Sequence, residues 1–353
     1  MFQLNRRELL LAQVSTALGL AACTSTEPSS RIEDPPPKPV ASCPPSPPPP
    51  APIWPEPGVV YAGGVRMVDV EGKYRVWTKK VGRGPIKVLL LHGGPGCTHE
   101  YFECFEDFLP QNGIEFYYYD QLGSAYSDQP DDPKLWTVDR FREEVEQVRA
   151  ALGLEHFVLY GHSWGGLLAI EYALKYPQHL AGLVISNMTA SIPLYEKHMG
   201  ELRALLPPEA QRILEKYEAK KKYDAPEYLD VIMKQLYAQH LLRIDPWPEP
   251  VQRMLGHLAA KVYNTIQGPN EFVVTGNMKR WDRMNDLPAI KVPTQLFVGR
   301  YDEMKVEDVQ EMSRRIPGSR LTICEKGSHL AMWDDQQTYM HALVDFLKSV
   351  QVG

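Results

Sequence analysis

Ser163 lies at the centre of the pentapeptide GHSWG (161–165), which follows the apolar run FVLY (157–160) and precedes a helical pattern. The spacing Gly-x-Ser-x-Gly between a strand and a helix is typical of a nucleophile elbow, a tight turn that leaves the serine Oγ exposed. Glycines flank the serine because a Cβ at either position would clash in so tight a turn. The start of the following helix favours negative charge at the reacting centre. The pattern predicts a serine nucleophile.

Two later residues can complete the chemistry of Ser163, because a serine needs a general base and the base needs an orienting acid. Asp302 ends the turn GRYD (299–302) after one predicted strand, and His329 follows the last predicted strand. Taken singly, they could be a helix cap and an ordinary loop histidine. The order serine, acid, histidine, each at the carboxyl end of a strand, is that of the α/β-hydrolase layout. We therefore predict Ser163 as nucleophile, His329 as general base and then acid, and Asp302 as orienter of the imidazole.

A tetrahedral oxyanion needs N–H donors that are already in place, each typically worth ~3–4 kcal/mol. The amide of Trp164, directly after the nucleophile, is one predicted donor. The glycine-rich loop HGGPG (92–96) follows the third predicted strand and should supply the other, because consecutive glycines let the backbone approach a substrate closely. We favour Gly94 over Gly93 as that donor. We expect His92 to support the loop and not to act as a second base.

The surrounding sequence predicts an α/β fold that brings these residues together. Segments 65–70 and 74–79 alternate in hydropathy like an antiparallel hairpin. Continuous apolar runs separated by helical patterns indicate a mostly parallel sheet that is buried on both faces and flanked by helices. The predicted apolar strands are 87–91, 115–119, 157–160, 183–186, 294–298 and 320–324, and the predicted flanking helices are 138–152, 163–176 and 336–350.

Between two of these strands the strand signal stops for about a hundred residues. The segment 188–285 is helical and polar, with predicted helices 209–222, 227–242 and 251–265. Loops at the carboxyl ends of sheet strands form the sites of α/β proteins, so we expect this segment to be an inserted helical cap over the site. The predicted division is a first core part 58–187, the cap 188–285 and a second core part 286–353.

The N-terminus predicts export and membrane attachment. A pair of arginines at 6–7 precedes an apolar stretch that is short for a membrane span, and LAAC (20–23) is similar to a bacterial lipobox. We expect an export signal at 1–22 and lipidation of Cys23, with an ordinary cleaved signal as the alternative. Thr24, the residue after the cysteine, favours the outer membrane by resemblance to the sorting rules of lipoproteins. The proline-dense segment 23–57 cannot join a packed core and is predicted to be a linker.

Composition narrows the function further. The 353 residues carry 38 Lys and Arg against 44 Asp and Glu, a net charge of −6, which argues against a nucleic-acid binder. The histidines form no metal-binding pattern, and no cofactor is expected. Cys97 and Cys104, if they share a helix, lie about 10 Å apart, beyond disulfide reach. We expect buried or free thiols there, whereas Cys43 in the linker could pair between molecules.

The motifs taken together resemble one family. The sequences HGGPG (92–96), DQLG (120–123) and GPNEF (268–272) are similar to signatures of proline iminopeptidases, specifically the tricorn-interacting-factor type of the α/β-hydrolase superfamily. The resemblance covers residues from about 60 to 350. One departure is SAYS (124–127), where the common family pattern has more Gly and Arg.

The resemblance implies a serine exopeptidase that releases N-terminal proline, or another small residue, from short peptides through an acyl-enzyme. Two carboxylates, Glu271 and Glu303, match the family's positions for anchoring the free ammonium, and a buried cation needs such partners. Trp164 is the best-placed aromatic wall for a proline ring. Two alternatives stay open: an amino-acid amidase or ester hydrolase on the same scaffold, and an inert surface-tethered binding lipoprotein.

Overall fold

The computed structural model describes residues 63–350. The predicted signal 1–22, the lipidation site Cys23 and the linker 23–57 lie outside the described residues. None of the helices within 63–350 combines the length and the hydropathy needed to cross a bilayer.

One eight-stranded sheet forms the centre of the molecule, in the order β1-β2-β4-β3-β5-β6-β7-β8. The first two strands pair antiparallel, as the hydropathy pattern predicted, and β2 also runs antiparallel to β4. All pairings from β4 across to β8 are parallel. The strands are β1 Val65–Val70, β2 Tyr74–Val81, β3 Ile86–Leu91, β4 Ile114–Asp120, β5 Phe157–His162, β6 Leu180–Ser186, β7 Thr294–Gly299 and β8 Arg320–Cys324. This architecture confirms the predicted fold class.

Both faces of the sheet are buried, which explains why its central strands are continuous apolar runs. Alternate residues of β3 belong to opposite apolar clusters: Leu89 and Leu91 pack on one side, and Val88 and Leu90 on the other. The flanking helices are α1 Val138–Leu152, α2 Trp164–Lys175, α8 Val306–Arg315, α9 Ala331–Asp334 and α10 Gln336–Ser349. Short 3₁₀ helices occupy His99–Asp107, Pro110–Asn112, Pro133–Leu135, Pro177–His179, Asn277–Arg280 and Leu287–Ala289.

The segment between β6 and β7 is mainly helical. Its helices are α3 Ile192–Ala204, α4 Pro208–Glu218, α5 Pro226–Val231, a π-helical stretch Ile232–Leu241, α6 Glu249–Gly256 and α7 Ala260–Ile266. Helix α3 was not among the predicted helices. Its N-terminus is capped by Ser191, whose Oγ accepts from the Leu194 N–H at 3.4 Å.

The single helix predicted over 251–265 is wrong, because the structure breaks it between Gly256 and Ala260. At the break the Ala259 N–H donates to the Gly96 carbonyl at 2.8 Å. A continuous helix would have used the Ala259 N–H internally. The interruption therefore lets the cap segment hold the glycine-rich loop of the core.

The cap segment is also tied to the core by a buried acid. Glu100 is 1% exposed and accepts from Arg253 Nε at 2.6 Å and lies 2.8 Å from His257 Nδ1. The Arg253 guanidinium reaches Glu103 as well, at 2.6 Å. These contacts join the 3₁₀ helix 99–107, which follows β3, to α6 in the segment between β6 and β7.

The π-helical stretch makes a second connection, to the loop after β8. The His329 N–H donates to the His240 carbonyl at 2.8 Å, and the Leu330 N–H donates to the Leu241 carbonyl at 2.9 Å. Carbonyls at the end of a helix have no partner within the helix, so the loop satisfies them. The backbone of His329 is thereby fixed by the cap segment.

Candidate active site

Ser163 occupies the predicted strained turn between β5 and α2. Its backbone has φ 54° and ψ −126°, an unusual conformation for a residue other than glycine. The Ser163 N–H donates to the Ser186 carbonyl at 2.9 Å, and the Ser163 carbonyl accepts from Gly166 at 2.7 Å. Strain of this kind persists where surrounding contacts fix the backbone, as these bonds do.

The flanking glycines are required by backbone contacts. A Cβ at Gly161 would lie 2.0 Å from the Gly165 carbonyl oxygen, and a Cβ at Gly165 would lie 2.1 Å from the Leu91 carbonyl oxygen. Both distances are far inside van der Waals contact. The turn therefore accepts only glycine on either side of Ser163.

Asp302 and His329 meet as the sequence predicted for an orienting pair. His329 Nδ1 lies 2.9 Å from Asp302 Oδ1, and both side chains are buried. The other carboxylate oxygen, Oδ2, accepts from Asn187 Nδ2 at 2.7 Å, and Oδ1 also accepts from the Met304 N–H at 3.0 Å. These donors hold the carboxylate in one orientation toward the imidazole.

The Nε2 side of His329 faces an acid. His329 Nε2 lies 3.6 Å from Glu303 Oε1, close enough for an ion pair. Among residues 63–350 no hydrogen bond joins Ser163 Oγ to His329. Catalytic hydrogen bonds are often long in an empty site and tighten when substrate binds.

The charges around His329 make it basic. Burial by itself would lower the pKa of the His329 imidazole, but the carboxylates of Glu303 and Asp302, joined by Glu271, raise it to about 9. An opposite charge within a few ångströms favours the charged form of a group. These carboxylates therefore favour the protonated form of the imidazole in the free enzyme.

Glu303 is a buried carboxylate that accepts no hydrogen bond from residues 63–350. The residue is 0% exposed, and within 63–350 neither carboxylate oxygen has a hydrogen-bond donor. Burial raises the pKa of Glu303 well above its ordinary range, and Glu271 and Asp302 reinforce the shift, whereas His329 and the nearby Tyr195 hydroxyl oppose it. The Tyr195 hydroxyl itself donates to the Glu271 backbone carbonyl. Such an orphaned polar group is costly and calls for a ligand or a functional reason.

Glu271 lies in the cap segment and points to the same place. It is partly buried, and its Oε1 accepts from the Tyr263 hydroxyl at 2.7 Å. Its backbone carbonyl accepts from the Tyr195 hydroxyl. Burial raises the pKa of Glu271, although His329 and Tyr263 oppose the shift. The structure thus brings both predicted anchoring acids into the surroundings of His329.

The two glycines proposed as oxyanion donors differ in their contacts. The Gly93 N–H donates to the Tyr101 hydroxyl at 2.7 Å and is occupied. Within the described chain, neither the Gly94 N–H nor the Trp164 N–H donates to a protein acceptor, and both residues line the cavity beside Ser163. Within residues 63–350 the amides of Gly94 and Trp164 are therefore available to an oxyanion, and their role as its donors stays a prediction.

His92 supports this loop. Its Nδ1 lies 2.9 Å from the Gly93 carbonyl, and its Nε2 accepts from the Gln121 N–H at 3.0 Å. Gln121 Oε1 in turn accepts from Trp164 Nε1 at 2.8 Å. Burial lowers the pKa of His92, with Asp120 opposing the shift. The ring is thus a neutral bridge between the glycine-rich loop and the loop after β4.

A narrow cavity opens beside Ser163 and Gly94. One wall comes from the core and the other from the cap segment. Its lining is largely apolar with an amide and a carboxyl group among it, and the lining side chains are Trp164, Met188, Ile192, Tyr195, Gln267, Glu271, Met278 and Met304. The lining thus combines apolar walls with the carboxyl group of Glu271.

Several residues of the site and its cavity were not predicted from the sequence. Asn187 holds Asp302, and its only signal was its position directly after β6 at the carboxyl edge of the sheet. Tyr195 belongs to helix α3, which had no predicted start. Met188 and Met278 have no sequence pattern that distinguishes a cavity lining from a core.

The described part of the chain contains neither a metal-binding cluster nor a disulfide. No group of three or more His, Cys, Asp or Glu within 63–350 is arranged to hold a metal ion. The structure has buried free thiols at Cys97, Cys104 and Cys324. The sequence analysis expected buried or free thiols at the first two. Cys43 lies outside the described residues.

Comparison with known proteins places the chain among related enzymes. Residues 87–336 match the family described as alpha/beta hydrolase fold. Proline iminopeptidases from Flavobacterium johnsoniae and Elizabethkingia meningoseptica are 46% and 48% identical to it over 283 and 284 residues, each covering 79% of this chain and 95% of the relative.

Solved structures give the same grouping. The crystal structure of VinJ has a TM-score of 0.78 at 35% identity, over 81% of this chain and 99% of VinJ. The proline iminopeptidase of Mycobacterium smegmatis has a TM-score of 0.74 at 30% identity, over 80% of this chain and 97% of the other.

Proposed function

We propose that this chain, which belongs to the proline iminopeptidase family of α/β-hydrolase-fold enzymes, releases N-terminal proline from short peptides as a serine aminopeptidase. The same site would accept another small N-terminal residue. Similarity to enzymes named for this activity favours it over the amidase, esterase and binding-protein alternatives.

The observation that carries the proposal is the buried carboxylate of Glu303. It lies 3.6 Å from His329 Nε2 and has no hydrogen-bond donor among residues 63–350. An ammonium at the N-terminus of a peptide would satisfy it, with Glu271 as the second acid. A substrate held there by its own N-terminus presents its first peptide bond to Ser163, which makes the enzyme an exopeptidase.

Acylation follows from the positions of the side chains. Ser163 Oγ attacks the scissile carbonyl carbon while neutral His329 Nε2 takes the hydroxyl proton. The negative charge that develops on the carbonyl oxygen is bound by the amides of Gly94 and Trp164. His329 then gives its proton to the leaving nitrogen, and the prolyl group remains as an ester on Ser163.

Deacylation repeats the steps with water. His329 takes a proton from a water molecule, which attacks the ester carbonyl, and the same two amides bind the second oxyanion. Collapse of this intermediate returns the proton to Ser163 Oγ and frees proline. Asp302, oriented by Asn187, stabilises the imidazolium that forms in both halves.

A panel of aminoacyl 4-nitroanilides tests the function directly. We expect prolyl 4-nitroanilide to be cleaved fastest, with a Ser163→Ala variant as the blank. Pro-X dipeptides, prolinamide and a proline ester, assayed in parallel, separate a peptidase from an amidase or esterase. Failure of the wild type to cleave the prolyl anilide would reject the proposal, and cleavage of the amide or ester without the dipeptide would replace it with the alternative.

We also propose that the protein is of the tricorn-interacting-factor type, which the motifs HGGPG (92–96), DQLG (120–123) and GPNEF (268–272) support.

We further propose that the protein is held in the bacterial cell envelope by lipid on Cys23, with the proline-dense segment 23–57 as a linker. The supporting observations are LAAC (20–23) and the basic pair at 6–7. Growth with an alkynyl fatty acid should label the wild type and leave Cys23→Ser unlabelled. Equal labelling of both, or of neither, would reject lipidation at Cys23.

A further inference from the structure

One nitrogen of His329 has two prospective partners. Nε2 must take the proton of Ser163, since Nδ1 is engaged by Asp302 at 2.9 Å. The same Nε2 lies 3.6 Å from Glu303 Oε1. Glu303 has in turn no hydrogen-bond donor within residues 63–350 and is fully buried. In the empty site, the imidazolium is thus the cation that faces this carboxylate.

The other groups around His329 do not supply a competing positive charge. His162, whose ring centroid lies 4.9 Å away, is buried, and burial lowers its pKa well below the ordinary range. Its Nε2 donates to the His329 carbonyl at 2.8 Å. Burial also raises the pKa of Tyr195 well above its ordinary range, so its hydroxyl stays protonated.

The remaining groups that face His329 are acids. Asp302 and Glu303 come from the loop after β7, and Glu271 comes from the cap segment. Their combined field holds the proton on His329, whose pKa is about 9. A protonated imidazole cannot accept the proton of Ser163. The approach of Nε2 to Glu303 at 3.6 Å, together with the field of these acids, thus favours the inactive, protonated form of the base in the free enzyme.

We propose that the N-terminal ammonium of the substrate switches on the general base, by replacing the His329 imidazolium as the cation beside Glu303. This inference rests on the proposed function, because it assigns Glu303 the substrate's ammonium as ligand. The exchange conserves charge: one cation enters next to the acids, and the proton leaves His329 Nε2 for water. The neutral Nε2 is then free to take the hydroxyl proton of Ser163.

The consequence is that Glu303 selects substrates through turnover as well as through binding. When a molecule without a free amine binds, His329 stays protonated and cannot take the proton of Ser163. A peptide with a free N-terminus removes that positive charge from His329 when it binds. Glu303 is in this respect a positioning residue that sets the protonation state of the base through its choice of cation.

The test uses 4-nitrophenyl acetate, whose acyl group carries no amine. We expect its hydrolysis by the wild type to rise with pH to a midpoint near 9, the pKa of the empty site's base. Glu303→Gln removes one negative charge from beside His329. The midpoint should fall by about one pH unit or more, the scale on which a neighbouring charge shifts a pKa.

Two activities of that variant then move in opposite directions. At pH 7 the Glu303→Gln enzyme should hydrolyse the acetate roughly tenfold faster than the wild type, since each pH unit by which the midpoint falls raises the neutral fraction tenfold. It should lose activity toward prolyl 4-nitroanilide, because the ammonium has lost its partner. Damage to the fold would lower both activities.

Glu307→Gln is the matched control, because Glu307 is exposed on α8 and the change removes the same charge. It should leave both activities and the midpoint as in the wild type. An acetate midpoint that is the same in the wild type and Glu303→Gln, or a wild-type midpoint near 6.5, would overturn the inference. The wild-type midpoint is measured without any variant. Neither result depends on cleavage of a prolyl substrate. A wild type that fails to cleave prolyl substrates would reject the proposed function instead.

Discussion

The nucleophile elbow and the acidic anchor are built in different ways. The elbow occupies five consecutive residues, 161–165, and its backbone is so tightly packed that a Cβ at Gly161 would lie 2.0 Å from the Gly165 carbonyl oxygen. The anchor joins Glu303, after β7, to Glu271 in the cap segment. The elbow is therefore specified by a local sequence motif, whereas the two acids of the anchor come together only when the chain has folded.

The difference also separates chemistry from selectivity. Ser163, in the elbow, supplies the reacting oxygen whatever the substrate is. Glu303 and Glu271 are the residues we propose to select which substrates are held and, by the inference above, to control when His329 becomes a base. Loss of the Ser163 hydroxyl should therefore abolish reactions of every substrate, and changes in the anchor should affect substrates according to their charge.

The largest effect is expected for Ser163→Ala. Without the attacking oxygen, kcat should fall by several orders of magnitude, about 10⁶ on the scale of serine proteases. Prolyl 4-nitroanilide and 4-nitrophenyl acetate should lose activity alike, because the acyl-enzyme is common to both. Steady-state assays of the two substrates, with circular dichroism to verify folding, check this. Unchanged turnover would remove Ser163 from the mechanism.

The anchor should show a smaller and charge-dependent effect. Glu303→Gln or Glu271→Gln is expected to cost ~3–5 kcal/mol in kcat/KM for prolyl 4-nitroanilide, because a buried ammonium would lose a charged partner. We expect the larger loss for Glu303, which is fully buried, since Glu271 is only partly so. The measurement is kcat/KM for each variant beside Glu307→Gln. Values equal to those of the control would place the ammonium elsewhere.

Asn187 tests a contact that supports the catalytic acid. Asn187→Gly removes the 2.7 Å bond to Asp302 and keeps a residue that tolerates the φ of 51° at this position. The loss of a hydrogen bond to a charged group should cost about 1.5–3 kcal/mol in kcat/KM. Both substrates should be affected alike, because Asp302 acts on the base. A loss confined to the prolyl substrate would contradict this role.

The smallest effect concerns stability and compares two glycines. Gly161→Ala should lower the free energy of unfolding by about 1–3 kcal/mol through overpacking, because its Cβ would meet the Gly165 carbonyl at 2.0 Å. Gly200→Ala, in helix α3 with no atom within 4 Å of its Cβ, should raise it by about 0.5–1 kcal/mol. Urea denaturation of both measures the difference. Equal effects would show that the elbow does not require glycine.

Much of the fold was predictable because it follows hydropathy. All eight strands lie within three residues of the predicted segments at each end, and α1 has the predicted bounds 138–152. Buried strands and amphipathic helices have characteristic patterns of hydropathy that can be recognised in the sequence. The order of Ser163, Asp302 and His329 likewise follows the strand ends.

What the sequence left undetermined depends on contacts between distant segments. The break in the helix predicted over 251–265 follows from the bond of Ala259 to Gly96, and no local breaker marks its position beyond Gly256. The role of Asn187 depends on where Asp302 lies. The approach of His329 Nε2 to Glu303 is a property of the folded site. The roles of the two acids remain predictions.

The central claim, that the enzyme recognises a free N-terminus through its buried acids, is tested most directly by one pair of substrates. We predict that the wild type cleaves prolyl 4-nitroanilide with a kcat/KM at least about 10²-fold above that for N-acetylprolyl 4-nitroanilide, the scale of ~3 kcal/mol for a lost buried charge partner. Equal cleavage of the two anilides would contradict the claim.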